Sequence, residues 1–411
     1  MTQGTLQTGG GGASPAPVEF NPYDPELQHN PYPCFKRMRD EAPVYYNREL
    51  NFYALTRYDD VLAAFLDPTT FISGNGVTIE GADRGLPFLI STDPPDHTWL
   101  RKLFSRLFTP RRVAELKPFM RRIASQYLDA AVGRQRFDIM ERFAWRFPLD
   151  VISELIGLPA ELREPYRHLA HRAGARQWDP VNGSGPTEDA IAAIIESLAL
   201  LQDLVVERRK QPREDIISML ITAEVADESG NTRRLNDDLI TMQFQLLANA
   251  GHETVTGLIG NGAIALWWHP EQRAALVRDP SLIPAAVDEM LRWDNPAPPN
   301  GRWTTKDVEL HGVTIPKDSR VMLYHASANH DERCYENPEL FDIHRVFHRP
   351  VVFGFGIHRC LGANLARLEA QVAFEELLAR FPTYEIDETG VVRPPAQLMR
   401  GLDHLPLILQ P

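Results

Sequence analysis

One cysteine stands between glycines in a short segment that also carries aromatic and basic residues. Residues 353–362 read FGFGIHRCLG, and Cys360 lies between Gly356 and Gly362, just ahead of an alanine- and leucine-rich stretch. Glycine permits tight turns and lets backbone N–H groups approach a sulfur, where hydrogen bonds stabilise a thiolate. Two roles fit such a cysteine: a buried structural thiol, which is the usual one, and a thiolate ligand to a metal.

A second unusual segment lies in the middle of a long predicted helix. Capping residues at 236–238 and the pair His269-Pro270 bound about 30 residues, or roughly 45 Å of helix. Apolar residues cover nearly every face, which is typical of a helix buried in a core. Its centre nevertheless reads AGHET at 250–254, and Gly251 costs about 1 kcal/mol relative to alanine.

Two interpretations of this central segment remain open at the level of sequence. In the first, Thr254 bonds back to the carbonyl of Ala250 and Glu253 caps a neighbouring helix. In the second, the missing side chain at Gly251 opens space for a flat ligand, with an acid and an alcohol at its face. The role of Cys360 has to decide between them.

The composition excludes several classes of protein. A formal net charge of −12 disfavours nucleic acid and anionic membranes as partners. Three widely spaced cysteines indicate neither a disulfide framework nor a C-x-x-C zinc site. The sequence shows no signal peptide and no apolar run long enough to span a bilayer, so we expect a cytoplasmic protein without a membrane anchor.

The chain is predicted to have a disordered tail over 1–18, which is rich in Gly, Thr and Pro, followed by one domain over 19–411. Two β-prone runs, VYYN and NFYALTR, predict a hairpin that turns around residues 48–50. Short strands are expected after Pro296. Besides the long helix, helices are predicted near 30–41, 111–131, 137–156, 185–209, 213–224, 285–293 and 363–381.

The pattern Phe353-x-x-Gly356-x-x-x-Cys360-x-Gly362 closely resembles the haem-binding loop of the cytochrome P-450 monooxygenases, and the AGHET segment resembles that family's oxygen-activating stretch. The resemblance implies a mainly α (α+β) fold, with a large helical domain, a long central helix, a small β-rich region and haem b between them. It makes Cys360 the axial ligand of the haem iron. The other implied haem contacts in these two segments are Ala250, Gly251, Phe353, Gly354, His358 and Gly362, and Ala366 follows the second segment.

The same resemblance gives Glu253 and Thr254 the role of an acid–alcohol pair that delivers two protons to oxygen. Peroxide-using haem-thiolate relatives lack this pair, so its presence favours O₂ as the oxidant, with an external electron donor.

Three further charged residues are implied to form a structural network. Glu289 and Arg292 lie at i,i+3 on a predicted helix, a pattern that by itself is usually an exposed ion pair worth less than about 1 kcal/mol. In the family this Glu-x-x-Arg joins a later arginine in a buried network behind the haem loop. Arg345 is the matching residue here.

A haem brings two propionates that need cationic partners. His97 and Arg101 match the family's His-x-x-x-Arg, Arg302 matches its strand arginine, and His358 lies two residues before the cysteine. A planar guanidinium suits a carboxylate. Each residue taken singly also fits a surface position, and His358 could instead only orient the loop.

By matched position, the substrate pocket is expected to be apolar. That favours a lipophilic substrate such as a fatty acid, terpenoid or steroid. Core packing explains any one of the residues equally well, and Asn300 could contact either a propionate or the substrate. The expected substrate contacts are Leu89, Ile90, Leu247, Ala250, Ala297 and Pro298.

Electrons are expected from an iron–sulfur ferredoxin with its reductase, as the resemblance to soluble bacterial members implies. A basic patch on the cysteine side of the haem would bind the acidic donor. The same basic residues are explained equally well as ordinary solvent-exposed charges. We expect the protein to be a monomer. The residues of this patch are Lys102, Arg106, Arg111, Arg112 and Arg359.

The leading functional hypothesis is a monooxygenase that hydroxylates a C–H bond of a lipophilic molecule with O₂. The alternatives are a haem-thiolate peroxygenase or isomerase, which forms product without an electron donor, and a non-catalytic haem protein that senses or carries a ligand.

Overall fold

The computed structural model describes residues 17–81, 83–174, 176–179, 183–226, 232–347, 350–394 and 399–409. The predicted tail over 1–18 therefore lies almost wholly outside the described residues. The helices in the described ranges are α1 Pro25–His29, α2 Tyr32–Glu41, α3 Tyr58–Leu66, α4 Asp96–Ser105, α5 Pro110–Glu115, α6 Lys117–Asp129, α7 Phe147–Ile156, α8 Ala160–Ala173, α9 Glu188–Lys210, α10 Ile216–Thr222, α11 Asp237–Trp268, α12 Pro270–Arg278, α13 Ile283–Trp293, α14 His325–Ala328 and α15 Ala363–Arg380.

The strands are short and are distributed along the chain. They are β1 Val44–Asn47, β2 Phe52–Leu55, β3 Phe71–Ile72, β4 Arg136–Asp138, β5 Arg176–Asp179, β6 Gly183–Pro186, β7 Val225–Ala226, β8 Thr232–Arg233, β9 Asn300–Thr304, β10 Val308–Leu310, β11 Val313–Ile315, β12 Arg320–Leu323, β13 Tyr384–Ile386 and β14 Pro406–Leu409.

The largest sheet positions one predicted site residue. Its order is β1-β2-β12-β9-β3, and β12 runs parallel to β2 but antiparallel to β9. Arg302 on β9 lies opposite Val321 on β12, which is buried. The predicted hairpin is confirmed, since β1 and β2 pair antiparallel.

The long central helix is confirmed as α11. Asn236 caps it by accepting a hydrogen bond from the backbone N–H of Leu239 at 2.8 Å, and Pro270 begins the next helix. α11 packs against α7, α9, α13 and α15. It is therefore surrounded by protein on most of its faces, as its apolar composition predicts.

Glycines let neighbouring elements approach α11 closely. A Cβ at Gly262 would lie 2.6 Å from Cζ of Phe374 on α15, and one at Gly260 would lie 2.8 Å from Sδ of Met140. A Cβ at Gly251 would lie 2.6 Å from Cγ1 of Ile152 on α7. The hypothesis that Gly251 opens space for a flat ligand is therefore wrong, because α7 fills that space. The preceding residue, Ala250, is exposed.

Two predicted helices are interrupted in the structure. The helix expected over 111–131 is divided into α5 and α6 at Leu116, because Pro118 at the start of α6 cannot donate a backbone hydrogen bond. The helix expected over 137–156 begins as a strand, since Phe137 pairs with Leu407 of β14, and continues as a π-turn before α7. This pairing joins distant segments, so local sequence did not predict it.

Helix α8 was not predicted individually. It contains Pro165, a residue that ordinarily argues against a helix. α8 packs against α7 and α9, and its residues Tyr166 and Ala170 are buried. The remaining predicted helices have counterparts that differ from the expected bounds by only a few residues.

We predict that Gly262→Ala destabilises the protein. Overpacking against Phe374 costs about 1–3 kcal/mol and outweighs the roughly 1 kcal/mol that alanine gains over glycine in a helix. Thermal unfolding followed by circular dichroism measures the effect. Adding Phe374→Leu should recover part of the loss because it removes the ring atoms nearest the new methyl group. A higher melting temperature in the single variant would contradict the packing argument.

Candidate active site

The cysteine loop is shaped by two glycines with left-handed backbone. Gly354 has φ +64° and Gly356 has φ +69°, and a Cβ at Gly356 would lie 2.4 Å from the carbonyl oxygen of Phe65. The backbone N–H of Cys360 donates to the carbonyl of Phe353 at 2.9 Å and closes the loop. Gly362 differs from the sequence expectation, since its φ of −86° is open to any residue.

The environment of Cys360 favours a thiolate once a cation is present. The side chain faces an accessible space, yet protein surrounds the loop deeply enough that desolvation raises the pKa of the thiol. A hydrogen bond from the backbone of Gly362 and the charges of Arg101, Arg359 and Arg367 act in the opposite direction and lower this pKa. A metal ion at the sulfur would tip the balance to the thiolate.

The four residues predicted to hold propionates converge beside this loop. His97 and Arg101 lie on α4, Arg302 lies on β9 and His358 lies in the loop. The rings of His97 and His358 have centroids 4.2 Å apart. Arg101 donates to the carbonyl of Arg359 at 2.6 Å, which ties α4 to the residue before the cysteine.

Bound anions would stabilise this basic cluster. Burial, followed by repulsion from Arg101 and Arg302, lowers the pKa of His97 to about 4, although Asp93 raises it. Burial lowers the pKa of Arg302 to about 10, and Arg302 forms no ion pair with any described residue. Nε2 of His97 is buried and has no hydrogen-bond partner in the described part of the chain. Two haem propionates would supply the missing negative charge, so these residues fit the group.

His358 has a partner of its own. Its Nε2 lies 3.2 Å from Oγ of Ser73, and burial lowers the pKa of the ring to about 2. The alternative that His358 orients the loop is therefore supported by a contact. The two roles are compatible because the other ring nitrogen remains for a second partner.

The acid and the alcohol of α11 lie on the turn that carries the exposed Ala250. Thr254 Oγ1 donates to the carbonyl of Ala250 at 3.1 Å, the back-bond considered from the sequence. The hydroxyl can still accept a hydrogen bond while it donates one. Glu253 lies close enough to Tyr166 on α8 to raise the pKa of that phenol further, after burial.

The residues expected to contact substrate are at least half-buried, apart from the exposed Ala250. Leu89 and Leu247 are buried, whereas Ile90, Ala297 and Pro298 are half-buried. Sequence analysis missed Gln243, a polar residue at a buried position of an apolar helix. Its Oε1 accepts from the backbone N–H of Leu89 at 3.1 Å and its amide donates to the carbonyl of Pro87, so α11 holds the 87–90 segment.

Comparison with known proteins decides the family. The sequence model described as "Cytochrome P450" matches residues 187–403. The chain is 39% identical over 398 residues to a vitamin D(3) 25-hydroxylase of Pseudonocardia autotrophica, covering 93% of this chain and 94% of the relative. It is 36% identical to the cytochrome P450 monooxygenase PikC of Streptomyces venezuelae, with 96% and 95% covered. The chain belongs to the cytochrome P450 family.

A solved structure confirms the fold. The cytochrome P450 CYP109Q5 of Chondromyces apiculatus superposes with a TM-score of 0.85 at 35% sequence identity, covering 96% of this chain and 98% of that one. Cytochromes P450 are monooxygenases with a haem-iron cofactor, and they use O₂, a redox partner and a small-molecule substrate. Among the described residues of this cytochrome P450, we find no helix with the length and hydrophobicity that a bilayer-spanning segment requires.

The implied structural network of this cytochrome P450 is present. Glu289 and Arg292 are fully buried and paired at 2.7 Å, and Arg345 reaches Glu289 at 3.3 Å. Arg292 also donates to the carbonyls of Asn329 and Pro338. The interpretation as an exposed ion pair is excluded for these residues, and the network ties α13 to the chain that leads into the cysteine loop.

The predicted basic patch is partly neutralised. Lys102, Arg106, Arg112 and Arg359 are exposed, but Arg111 pairs with Glu115 at 2.9 Å one turn along α5. Four of the five residues thus remain available as positive charges near the cysteine loop.

We predict that two alanine substitutions in the loop differ in their effect on stability. Gly356→Ala forces a Cβ against the carbonyl of Phe65 and an L-residue into a left-handed conformation, the latter alone costing about 1–2 kcal/mol. It should destabilise the apoprotein and reduce haem retention. Gly362→Ala should leave apoprotein stability near that of the wild type, since its nearest neighbour lies 3.9 Å away. Thermal unfolding of both apoproteins measures this, and equal losses would refute the assignment.

Proposed function

We propose that this cytochrome P450 hydroxylates a lipophilic small molecule, such as a fatty acid, terpenoid or steroid-like compound, with O₂ and two electrons from an iron–sulfur ferredoxin and its reductase. The observation that carries the proposal is the convergence of His97, Arg101, Arg302 and His358 beside the loop of Cys360, in a chain whose helix α11 also carries the acid–alcohol pair. The name of the vitamin D(3) 25-hydroxylase relative supports a steroid-like substrate.

The proposed cofactor is haem b, held between α11 and the cysteine loop. Cys360 would supply the thiolate ligand of its iron, and His97, Arg101, Arg302 and His358 would bind its propionates. When bound, a haem iron with a thiolate ligand activates O₂ and favours O–O cleavage. The proposed surrounding contacts are Ala250, Phe353, Gly354, Gly362 and Ala366. Gly251 can contact the haem only through its backbone, because Ile152 occupies the space where a side chain at this position would lie.

The proposed task of the acid–alcohol pair is proton delivery. Hydroxylation consumes one O₂, two electrons and two protons for each alcohol and water formed. Thr254 holds a hydrogen-bonded proton at Oγ1, and Glu253 exchanges protons with water. The carbonyl of Ala250 fixes the Thr254 rotamer in the resting helix.

The apolar residues around α11 are proposed to bind the substrate through burial of its surface. Leu89, Ile90, Leu247, Ala250, Ala297 and Pro298 are the proposed contacts. Gln243 fixes the 87–90 segment, so the pocket wall formed by Leu89 is held in place.

The ferredoxin is proposed to dock at the patch of Lys102, Arg106, Arg112 and Arg359, because an acidic donor would be attracted there and less so at high salt. We further propose one domain over 19–411, a monomer and a cytoplasmic location. The three free cysteines fit a reducing compartment.

We predict that Cys360→His abolishes the red-shifted Soret band of the reduced carbon monoxide complex, since that band reports thiolate ligation. The wild-type protein should show it. Absorption spectroscopy of both haem-loaded proteins is the measurement. A variant that keeps the band would remove Cys360 as the ligand. Product formed from O₂ and reduced ferredoxin, but not from hydrogen peroxide alone, separates the proposal from a peroxygenase or an isomerase, and any product excludes a mere sensor.

We predict that Thr254→Ala keeps haem and substrate binding but diverts reducing equivalents to hydrogen peroxide, because proton delivery is impaired. Thr254→Ser retains a hydroxyl and is the matched control, with coupling close to that of the wild type. Peroxide and product formed per NAD(P)H consumed are the measured ratios. Full coupling in the alanine variant would exclude Thr254 from proton delivery.

A further inference from the structure

A small cavity of about 50 Å³ lies between the N-terminal segment and the loop that precedes β14. Apolar residues form most of its wall, including Phe20, Leu27, Phe35 and Pro298. A water occupies roughly 10–15 Å³ on this measure, so the space holds a group of a few heavy atoms.

A guanidinium with unused donors lines this cavity. Arg393 is half-buried, and it donates to the carbonyl of Gly401 at 3.0 Å. A guanidinium has five N–H donors, so most of them remain for another partner. Arg393 forms no ion pair with any described residue.

The nearest carboxylate is already shared. Asp294 accepts from Arg400 at 2.5 Å and from the hydroxyl of Tyr32 at 2.8 Å, and Arg400 lines the same cavity. One carboxylate thus faces two guanidinium groups, which leaves a net positive charge. Residues 1–16 and 395–398, which border this region in sequence but lie outside the described part of the chain, contain no acidic residue.

Tyr324, which also lines the cavity, supplies an independent observation. The residue is 2% exposed, and its hydroxyl has no hydrogen-bond partner in the described part of the chain. A buried hydroxyl without a partner costs about 1–3 kcal/mol, so a ligand acceptor here would be stabilising. Glu80, whose charge acts on Tyr324, already accepts a hydrogen bond from Tyr23 at 3.2 Å.

We propose that this cavity binds the carboxylate of an organic acid, held by the guanidinium of Arg393 and the hydroxyl of Tyr324. A planar, bidentate acceptor matches the fork of an arginine. The apolar wall suits the hydrocarbon part next to the acid group. An amine is disfavoured because it would meet Arg393 and Arg400.

The cavity adjoins the proposed substrate pocket through Pro298. Pro298 lies in the segment between α13 and β9. It lines the cavity and is also one of the proposed substrate contacts. The carboxylate could be the far end of a substrate whose chain reaches the haem, which rests on the proposed function, or it could belong to a separate small acid. The ligand chemistry is the same in both cases.

The test uses haem-loaded protein and two probes, dodecanoate and butyrate, with methyl dodecanoate and butanol as uncharged counterparts. Calorimetry gives the affinity, and the low-to-high-spin shift of the Soret band reports whether a probe reaches the haem. The variants are Arg393→Gln, Arg393→Lys and Tyr324→Phe. Arg278→Gln, at an exposed position on α12, is the matched control. The carbon monoxide spectrum and the melting temperature verify that each variant is folded.

We expect Arg393→Gln to weaken acid binding about 10- to 100-fold, and Tyr324→Phe to weaken it about 5-fold. Arg393→Lys should lie between Arg393→Gln and the wild type, and Arg278→Gln should have no effect. A spin shift with dodecanoate assigns the carboxylate to a substrate, whereas butyrate binding without a spin shift assigns it to a separate acid. The proposal is overturned if both acids bind no more tightly than their uncharged counterparts, or bind Arg393→Gln as tightly as the wild type. Because calorimetry does not depend on turnover, failure here leaves the proposed hydroxylation untouched.

Discussion

The structure depends on a cluster of basic groups that repel one another in a largely desolvated space. His97, Arg101, Arg302 and His358 come from α4, β9 and the cysteine loop. Burial, and after it the charges of Arg101 and Arg302, lower the pKa of both histidines. Such an arrangement is costly unless anions are bound. The scaffold must therefore hold the cluster rigidly, and haem binding should in turn stabilise the folded protein.

Two features provide that rigidity. Close approach at Gly251, Gly260 and Gly262 packs α7, the π-turn and α15 tightly against α11. The buried network of Glu289, Arg292 and Arg345 joins α13 to backbone carbonyls ahead of the loop. The elements that carry the catalytic segments are thus held by packing and by buried hydrogen bonds. The exposed face of α11 at Ala250 remains available for ligands.

The need of buried polar groups for partners supports both proposed ligand sites. At the haem site, the guanidinium groups of Arg101 and Arg302 need two carboxylates, and the buried rings of His97 and His358 lie in the same cluster. At the second cavity, one partly satisfied guanidinium and one unpaired phenol need a single carboxylate. In both cases a polar group that is buried without a full set of partners points to a ligand, because folding alone does not offset its desolvation.

The sequence by itself determined the features set by local spacing: the turn around Cys360, the capped helix α11, the hairpin of β1 and β2, and the residues matching the family motifs. The tertiary structure alone decided that Ile152 fills the space at Gly251, that Gln243 holds Leu89, and that Arg393 shares a cavity with Tyr324. These contacts join residues far apart in the chain. Local propensity carries no information about such contacts, which depend on how complete helices and strands pack together.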